Sequence, residues 1–319
     1  MPSSNYNYKV LCIGDLVADI FASPLERLPR PGELVLADTI AVYPGGNALN
    51  TAVALARLGE PVAMAGSIGD DALGDLLLGA IQERGVDGSG IHRERGGSTS
   101  STFILRAEGE DRRFIHSLGV AGQFSGEHID ADLIPEQGIV LVGGYLKLAG
   151  WDDGILAGLL QKAREKQTKV VFNVCLAQDS GVDPNRCLWL LEHVDIFILN
   201  EDEARIITNE TDLKRQAEVM RRAGAGTVVI TRGQNGLYAD DGQSVVEMGI
   251  YRVPLVDPSG CGDCFNAGLV AGLLHGWEIE RVLHCGSAVG ALGATALGCT
   301  NGVPPFNEVE TFMKENTPQ

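Results

Sequence analysis

The sequence has no long basic run and no long apolar run, and each absence excludes a class of function. Its 319 residues include 25 Lys and Arg against 42 Asp and Glu, which gives a formal net charge of −17. A nucleic-acid binder needs a basic stripe on its surface, which this charge balance argues against. No segment reaches the ~20 apolar residues of a membrane-spanning helix. The sequence therefore predicts neither a nucleic-acid partner nor a membrane partner.

A secretion signal and a disulfide framework are missing too. Residues 1–9 are polar and lead directly into the apolar segment 10–13, without the charged start and long apolar stretch of a signal peptide. The seven cysteines are odd in number and lie mostly in apolar surroundings, which is typical of reduced intracellular thiols. The six histidines show no metal-ligand spacing, and only His116 attracts attention. We expect a cytoplasmic protein.

Short β-rich segments alternate with longer helical segments along nearly the whole chain. This alternation predicts an α/β fold in which helices cover both faces of a mostly parallel central sheet. Residues 262–297 are predicted to form two helices separated near Gly276. The predicted strands are 10–13, 62–67, 139–142, 169–174, 196–199 and 227–231, and the other predicted helices are 47–58, 71–84, 151–166, 201–208 and 213–223.

Two stretches depart from the alternation. Residues 98–106 and 112–117 have β-patterned arms around a turn at 108–111, which predicts a hairpin. Residues 21–43 are rich in proline and have few helix signals. We predict that segments of about 16–44 and 97–120 form a small β-sheet lid, inserted in a single domain over residues 1–319. Such a lid would cover the carboxyl ends of the strands, where folds of this class bind ligands.

The segment 257–263, Asp-Pro-Ser-Gly-Cys-Gly-Asp, is the strongest motif. A Gly-x-Gly turn that opens an apolar helix presents free N–H groups and a positive dipole end to an anion. Asp263 would lie in the first turn and face the same cleft. Two other interpretations stay open at this point: an acid that only stabilises the helix start, and a redox pair formed by Cys261 and Cys264.

This segment resembles the D-T-x-G-A-G-D signature of the ribokinase-like (PfkB) carbohydrate kinase family, with Pro258 and Cys261 in place of the usual Thr and Ala. A second signature of the family, a Gly-Gly-x-x-x-Asn helix start, is matched by Gly45, Gly46 and Asn50. The two signatures have the order and spacing of the family, and the resemblance covers essentially the whole chain. It implies a ribokinase-like fold and an ATP-dependent kinase.

In that family the first-turn aspartate is the general base, a role that the resemblance assigns to Asp263. The amides of Gly260, Cys261 and Gly262 would hold the transferred phosphate. The sequence contains no G-x-x-x-x-G-K-[ST] segment, which excludes a Walker-type phosphate site.

Three acids follow the predicted strand 196–199 and begin a helix. Clustered carboxylates at a strand end hold Mg²⁺ in many sites, although acids at a helix start are common without a metal. The segment resembles the family's N-x-x-E motif, which implies that Asn200 and Glu203 organise Mg²⁺ through water. The resemblance also implies a monovalent cation such as K⁺ near Asp257.

The nucleotide site is implied by the turn after the predicted strand 227–231. As a bare sequence this segment is a turn with two glycines. It resembles the family's nucleotide-binding loop, which implies that Thr231, Gly233 and Gly236 lie along ATP. Ser287 stands where the late helix of the family usually offers an Asn to the adenine.

An acid follows the first predicted strand, at the other end of the expected cleft. Asp15 could accept hydrogen bonds from two neighbouring sugar hydroxyls, although an Asp often simply closes a strand. Position in the family favours Asp15, Gly45, Gly46 and Asn50 as sugar contacts, and Asn173 is a further candidate.

These observations favour a kinase that phosphorylates a hydroxyl of a free sugar, of the ribokinase, fructokinase or ketodeoxysugar kinase type. A nucleoside kinase of the adenosine type is the alternative within the family, and a non-catalytic sugar-binding regulatory protein is the alternative outside catalysis. A sugar-phosphate substrate is disfavoured because residues 143–147 supply a single lysine. A homodimer through the lid is expected.

Overall fold

The computed structural model describes residues 8–110, 112–176 and 181–319. Within them the strands are β1 (Val10–Gly14), β2 (Val17–Ala22), β3 (Ile40–Gly45), β4 (Val62–Gly69), β5 (Asp87–Glu94), β6 (Ser101–Leu105), β7 (Arg113–Ser117), β8 (Ile139–Gly143), β9 (Lys169–Asn173), β10 (Ile196–Asn200), β11 (Thr227–Thr231), β12 (Leu237–Asp240) and β13 (Val245–Met248). The α-helices are α1 (Asn47–Leu58), α2 (Ala72–Glu83), α3 (Asp153–Glu165), α4 (Glu201–Thr208), α5 (Leu213–Arg222), α6 (Cys261–Leu274), α7 (Ile279–Gly293) and α8 (Phe306–Glu315). None of the helices in these ranges is long and apolar enough to span a membrane.

Nine strands form the central sheet, in the order β13-β12-β11-β10-β9-β8-β1-β4-β5. The seven strands from β5 to β11 in this order pair in parallel with their neighbours. Strand β12 pairs antiparallel with β11, and β13 pairs antiparallel with β12. The middle strands are rich in Val and Ile and are buried along their length, as parallel strands covered on both faces must be. The predicted α/β fold with a mostly parallel sheet is confirmed.

Alternate residues of the strands contribute side chains to two apolar layers, one on each face of the sheet. In β1, Val10 and Cys12 pack with helices α1, α2, α6, α7 and α8. Leu11 and Ile13 pack on the opposite face with α3, α4 and α5. Because successive side chains of a strand point to opposite faces, one short apolar strand supplies both layers.

Four further strands form a small separate sheet in the order β3-β2-β6-β7. Strands β6 and β7 form the predicted hairpin, and residue 111 of its turn lies outside the described residues. Strands β2 and β3 come from the two ends of the proline-rich segment, and β2 joins the hairpin by parallel pairing with β6. We call this sheet the lid.

Candidate active site

A left-handed glycine begins α6 and opens its first turn to a ligand. Gly260 caps the helix with φ 73°, and a Cβ there would lie 2.6 Å from the Cβ of Cys299, so only glycine fits. No side chain caps this end, and the amide of Cys261 makes only a long hydrogen bond, 3.4 Å, to the carbonyl of Pro258. A Cβ on Gly262 would meet open space. The turn therefore offers N–H groups and the positive end of the helix dipole to an anion.

Asp263 projects from this turn towards the start of α1. Its Oδ1 accepts a hydrogen bond from Nδ2 of Asn47 at 3.1 Å, and its Oδ2 accepts one from Nδ2 of Asn50 at 2.8 Å. The hydroxyl of Thr51 donates to the main-chain oxygen of Asp263 at 3.3 Å. One turn of α1 thus fixes both oxygens of a buried acid on α6.

The surroundings of Asp263 make its charge costly. Burial raises its pKa to about 7, although the hydrogen bonds from Asn50 and Asn47 act in the opposite direction. The charge of Asp15 raises the pKa further and the charge of Lys147 lowers it. A carboxylate with a pKa near the operating pH is suited to accept a proton during catalysis.

An ion pair lies beside this acid, at the end of β1. Oδ2 of Asp15 lies 2.9 Å from Nζ of Lys147, and its Oδ1 accepts the main-chain N–H of Ala48 at 3.3 Å. Burial lowers the pKa of Lys147, but the charges of Asp15 and Asp19, the hydrogen bond to Asp15 and the influence of Cys175 together outweigh burial and raise the pKa. Since an ionised carboxylate has about four lone-pair positions, Asp15 keeps room for two further hydroxyl donors.

The lid adds a second acid and a histidine to this end of the cleft. Asp19 of β2 is buried, and burial raises its pKa to about 6 although the hydroxyl of Thr102 and the charge of Lys147 oppose the rise. Nδ1 of His116 lies 3.0 Å from Oγ1 of Thr102. Burial and the charge of Lys147 lower the pKa of His116. A Cβ on Gly45 would lie 2.0 Å from Oδ2 of Asp19, so the lid acid rests directly on this glycine.

A cavity of about 810 Å³ extends from the α6 turn to the loop after β11. Its lining includes six residues that the sequence analysis assigned to the nucleotide or to the transferred phosphate. These are Thr231, Gly233, Gly236, Cys261, Gly262 and Ser287.

The two residues predicted to organise Mg²⁺ make hydrogen bonds to the backbone in the structure. Asn200 and Glu203 form a capping box at the start of α4: Oδ1 of Asn200 accepts the amide of Glu203, and Oε2 of Glu203 accepts the amide of Asn200. Oε1 of Glu203 accepts the amide of Leu176 at 3.1 Å. Among the described residues neither side chain lines the 810 Å³ cavity. Direct coordination of Mg²⁺ by Glu203 would compete with both amides.

The tip of the lid reaches the anion-binding turn through Arg112. Its Nη1 lies 3.3 Å from Oδ1 of Asp257 and donates to the hydroxyl of Ser259. Asp257 also accepts the amides of Ser259 at 3.0 Å and Gly298 at 3.1 Å. Burial opposes them, but these hydrogen bonds and the charge of Arg112 lower the pKa of Asp257. Asp257 is therefore ionised, and it connects the lid to the anion-binding turn.

Two other sequence predictions can be compared with the geometry. Asn173 donates its side-chain amide to the carbonyl of Ile198 at 3.1 Å, which ties the end of β9 to β10. Cys261 and Cys264 are free thiols, and burial raises the pKa of Cys261 to about 11. Because a thiol needs to ionise to react, this value argues against the redox interpretation.

Comparison with known proteins agrees with this geometry. Residues 7–305 match the family described as pfkB family carbohydrate kinase. The chain belongs to this family. A ribokinase of Haemophilus influenzae is 28% identical over 311 residues, covering 95% of this chain and 97% of that protein. A 5-dehydro-2-deoxygluconokinase of Photobacterium profundum is 28% identical over 285 residues, covering 85% and 86%.

Solved structures match this PfkB-family kinase over the same extent. A putative ribokinase II from E. coli, in complex with ATP and Mg²⁺, superposes with a TM-score of 0.81 and 22% identity. The match covers 97% of this chain and 100% of that one. The resemblance to the family and its fold, expected from the two signatures, is confirmed, and with it a carbohydrate kinase activity.

Sequence reasoning missed four polar groups of this kinase's cleft: Asp19, Asn47, Lys147 and Arg112. Asn47 is the one that the sequence could most readily have revealed, because it lies within the helix start that carries the second signature, one turn before Thr51. The two groups carried by or beside the lid, Asp19 and Arg112, reach the cleft only through lid pairing, which local spacing does not reveal. The sequence marks Lys147 only as a lone lysine in residues 143–147. Its pairing with Asp15 could not be foreseen, because the two residues are 132 positions apart.

Proposed function

We propose that this PfkB-family kinase transfers the γ-phosphoryl group of ATP to a hydroxyl of a free sugar, with Asp263 as general base. The observation that carries the proposal is the buried Asp263 carboxylate, with a pKa of about 7, between the anion-binding turn and the Asp15–Lys147 pair. Asp263 takes the proton of the acceptor hydroxyl while the oxygen of that hydroxyl bonds to the γ-phosphorus. The bond from that phosphorus to the bridging oxygen breaks, and ADP leaves with the electron pair.

The α6 turn stabilises the charge that develops in this step. The amides of Gly260 and Gly262, with that of Cys261 in exchange for its long contact with the carbonyl of Pro258, would donate to the transferred phosphoryl oxygens. The larger side chain of Cys261 does not alter this backbone donor. The wall formed by Thr231, Gly233, Gly236 and Ser287 would take the nucleotide.

Mg²⁺, when bound, would neutralise part of the phosphate charge. Glu203 and Asn200 fit such an ion only through water, because their oxygens already accept backbone amides. Each Glu203 oxygen retains a lone pair for a metal-bound water. A K⁺ ion near Asp257 remains part of the proposal, in competition with Arg112 for the same carboxylate.

The acceptor end favours a hydroxyl-rich molecule without a phosphate group. Asp15, Asp19 and Asp263 are three buried acids around one ammonium group, Lys147, which is already paired with Asp15. A phosphate group here would meet more negative than positive charge. Asp15, Gly45, Gly46 and Asn50 are the proposed sugar contacts, with Asn173 as a more remote candidate.

Substitution of the base tests the mechanism. Asp263→Asn should lower kcat by roughly 10²–10⁴, the usual contribution of general-base catalysis. Asp75→Asn is the matched control, because Asp75 is also a first-turn acid, in α2, and should leave kcat unchanged. Turnover of Asp263→Asn above one tenth of the wild-type rate would show that Asp263 is only a helix-start acid.

An acceptor panel tests the substrate class. Ribose, fructose, 5-dehydro-2-deoxygluconate, fructose 6-phosphate and adenosine are each offered with Mg-ATP, and ADP release is measured. We expect turnover of a free sugar. Turnover of adenosine alone would establish the nucleoside alternative, and saturable sugar binding without ADP release would establish the non-catalytic one.

We further propose that the protein works in the cytoplasm and pairs with a second copy through its lid. All seven cysteines are free thiols, which supports a reducing compartment. Exposed apolar side chains on the lid support the pairing.

A further inference from the structure

Two imidazoles and a carboxylate meet at the edge of the central sheet, outside the active site. His92 and Glu94 are two residues apart in the edge strand β5, so their side chains leave the same face of the strand. The ring of His128, from the loop between two 3₁₀ helices (Gly119–Gln123 and Ala131–Leu133), stacks on His92 with centroids 3.7 Å apart. One ligand atom from each of the three side chains lies within 4.8 Å of the others.

We propose that His92, Glu94 and His128 bind a divalent transition-metal ion of the zinc type. Nitrogen and carboxylate oxygen ligands lie about 2.0–2.2 Å from Zn²⁺, so tetrahedral ligand atoms are about 3.3 Å apart. Nε2 of His92 and Oε2 of Glu94 are already separated by 3.3 Å. Coordination by all three groups requires the half-exposed ring of His128 to turn out of its stack with His92. Mg²⁺ prefers oxygen ligands, so this site is distinct from the metal of the phosphoryl transfer.

The backbone on both sides of the site is held in place by main-chain pairing. His92 pairs with Ser67 of β4, which fixes the strand. On the loop, the amide of Ile129 donates to the carbonyl of Gly126 at 3.0 Å. Oε1 of Glu127 lies 3.4 Å from Nε2 of His128 and adds a second carboxylate. An adjoining cavity of about 320 Å³, lined by both histidines and Asp130, gives an ion and its water access.

The position of the site suggests what the ion does. The chain leaves β5 at Glu94 and enters the lid at β6, and after β7 it leaves the lid and reaches His128. A metal ion would therefore join the two chain segments at the base of the lid hairpin. It would restrict the opening of that hairpin without contacting the reacting groups.

Zinc binding to the purified protein tests this proposal. Equilibrium dialysis near neutral pH, where imidazole is largely neutral, should give one Zn²⁺ per chain at micromolar free metal. Glu94→Gln and the double variant His92→Ala/His128→Ala should each weaken binding at least about tenfold. His275→Ala is the matched control, because it removes another exposed imidazole paired with a glutamate, Glu60, and should bind Zn²⁺ as the wild type does.

Two further readouts separate this site from zinc bound elsewhere. The Co²⁺ complex should show no thiolate-to-metal charge transfer, since cysteine takes no part. Zn²⁺ should slow hydrogen exchange of β6 and β7 in the wild type but not in the double variant. Full Zn²⁺ binding by the double variant, or thiolate bands, would overturn the site. Unchanged lid exchange on binding would overturn its role at the lid.

Discussion

The carboxylate of Asp263 shows how burial and hydrogen bonding compete at a single residue. Two amide donors stabilise the ionised form, yet the pKa rises from 3.8 to about 7, so loss of water outweighs both donors. Asn47 and Asn50 orient the acid and keep its pKa from rising further. The charges of Asp15 and Lys147 act in opposite directions and partly cancel. A buried acid of this kind is about half ionised at neutral pH, and its ionised form is basic enough to accept a proton.

The pH dependence of turnover follows from this balance. Only ionised Asp263 can act as the base, so kcat/KM for the acceptor should rise with pH and reach half its maximum near pH 7. Asn50→Ala removes a donor that lowers the pKa, so its acid limb should lie at higher pH. Asn316→Ala, which removes an amide at the end of α8, should keep the wild-type profile. A flat profile for the wild type, or a limb at lower pH in Asn50→Ala, contradicts this assignment.

The proposed contact of Asp15 with the acceptor can be tested by substitution. Asp15→Asn removes an ionised acceptor and leaves Lys147 without its counter-charge, so kcat/KM for the sugar should fall at least tenfold, about 1.4 kcal/mol. The KM for ATP should stay the same, because the cavity proposed for the nucleotide is lined by other residues. Asp153→Asn breaks a comparable ion pair with Arg186 and controls for general destabilisation. Equal losses in the two variants would remove Asp15 from the acceptor site.

At the scale of elements, Arg112 at the tip of the lid contacts the segment that leads into α6. The ion pair of Arg112 with Asp257 is partly buried, so water screens it less than a surface pair. A charge-assisted hydrogen bond of this type contributes about 1.5–3 kcal/mol. Its loss should shift the lid towards open forms and expose the transferred phosphate to water.

Replacement of this arginine tests the connection. Arg112→Ala should lower kcat for the sugar by about 10- to 100-fold, and hydrogen exchange in β6 and β7 should become faster. Arg113→Ala is a close control, since the neighbouring Arg113 is exposed and pairs with Glu110 within the hairpin. If both variants keep the wild-type rate and exchange, the contact of Arg112 has no part in lid closure.

The elements differ in how far the sequence predicts them. Strands β1 and β10 were predictable because parallel strands buried on both faces are continuous apolar runs. Strand β5 was missed because Asp87–Glu94 is an edge strand with two glycines and few apolar residues, and only pairing with β4 makes it a strand. The predicted helix 151–166 begins two residues later, at α3, because the side chain of Asp152 caps it.

At the scale of the whole molecule, the site joins groups from distant parts of the chain. The anion turn and the Asn50 helix start were predictable, since each is a local signature on one helix. Their contact, and the addition of Lys147, Asp19 and Arg112, depends on α1 packing against α6 and on the register of the lid. Long-range register leaves no local periodic pattern, so neither these contacts nor the pairing of His92 with His128 could be derived from the sequence.

The outer face of the lid and the net charge would act in opposite directions on the proposed self-association. Phe103 and Ile115 are opposite each other in the pairing of β6 and β7, on the face away from Thr102 and His116. They are 50% and 64% exposed, which is unusual for large apolar side chains placed together. Covering them with a second lid would bury this patch, whereas two copies of charge −17 repel each other.

We therefore predict a dimer that salt strengthens. Sedimentation equilibrium at tens of micromolar should show dimers near physiological ionic strength and a larger monomer fraction at low salt, where repulsion is less screened. Ile115→Glu should give monomers, because it places a charge in the centre of the apolar patch. Ile206→Glu, at a similarly exposed position on α4, should remain dimeric. A wild-type protein that stays monomeric at both salt concentrations would show that the lid face has no such partner, and a dimer unaffected by Ile115→Glu would place the interface elsewhere.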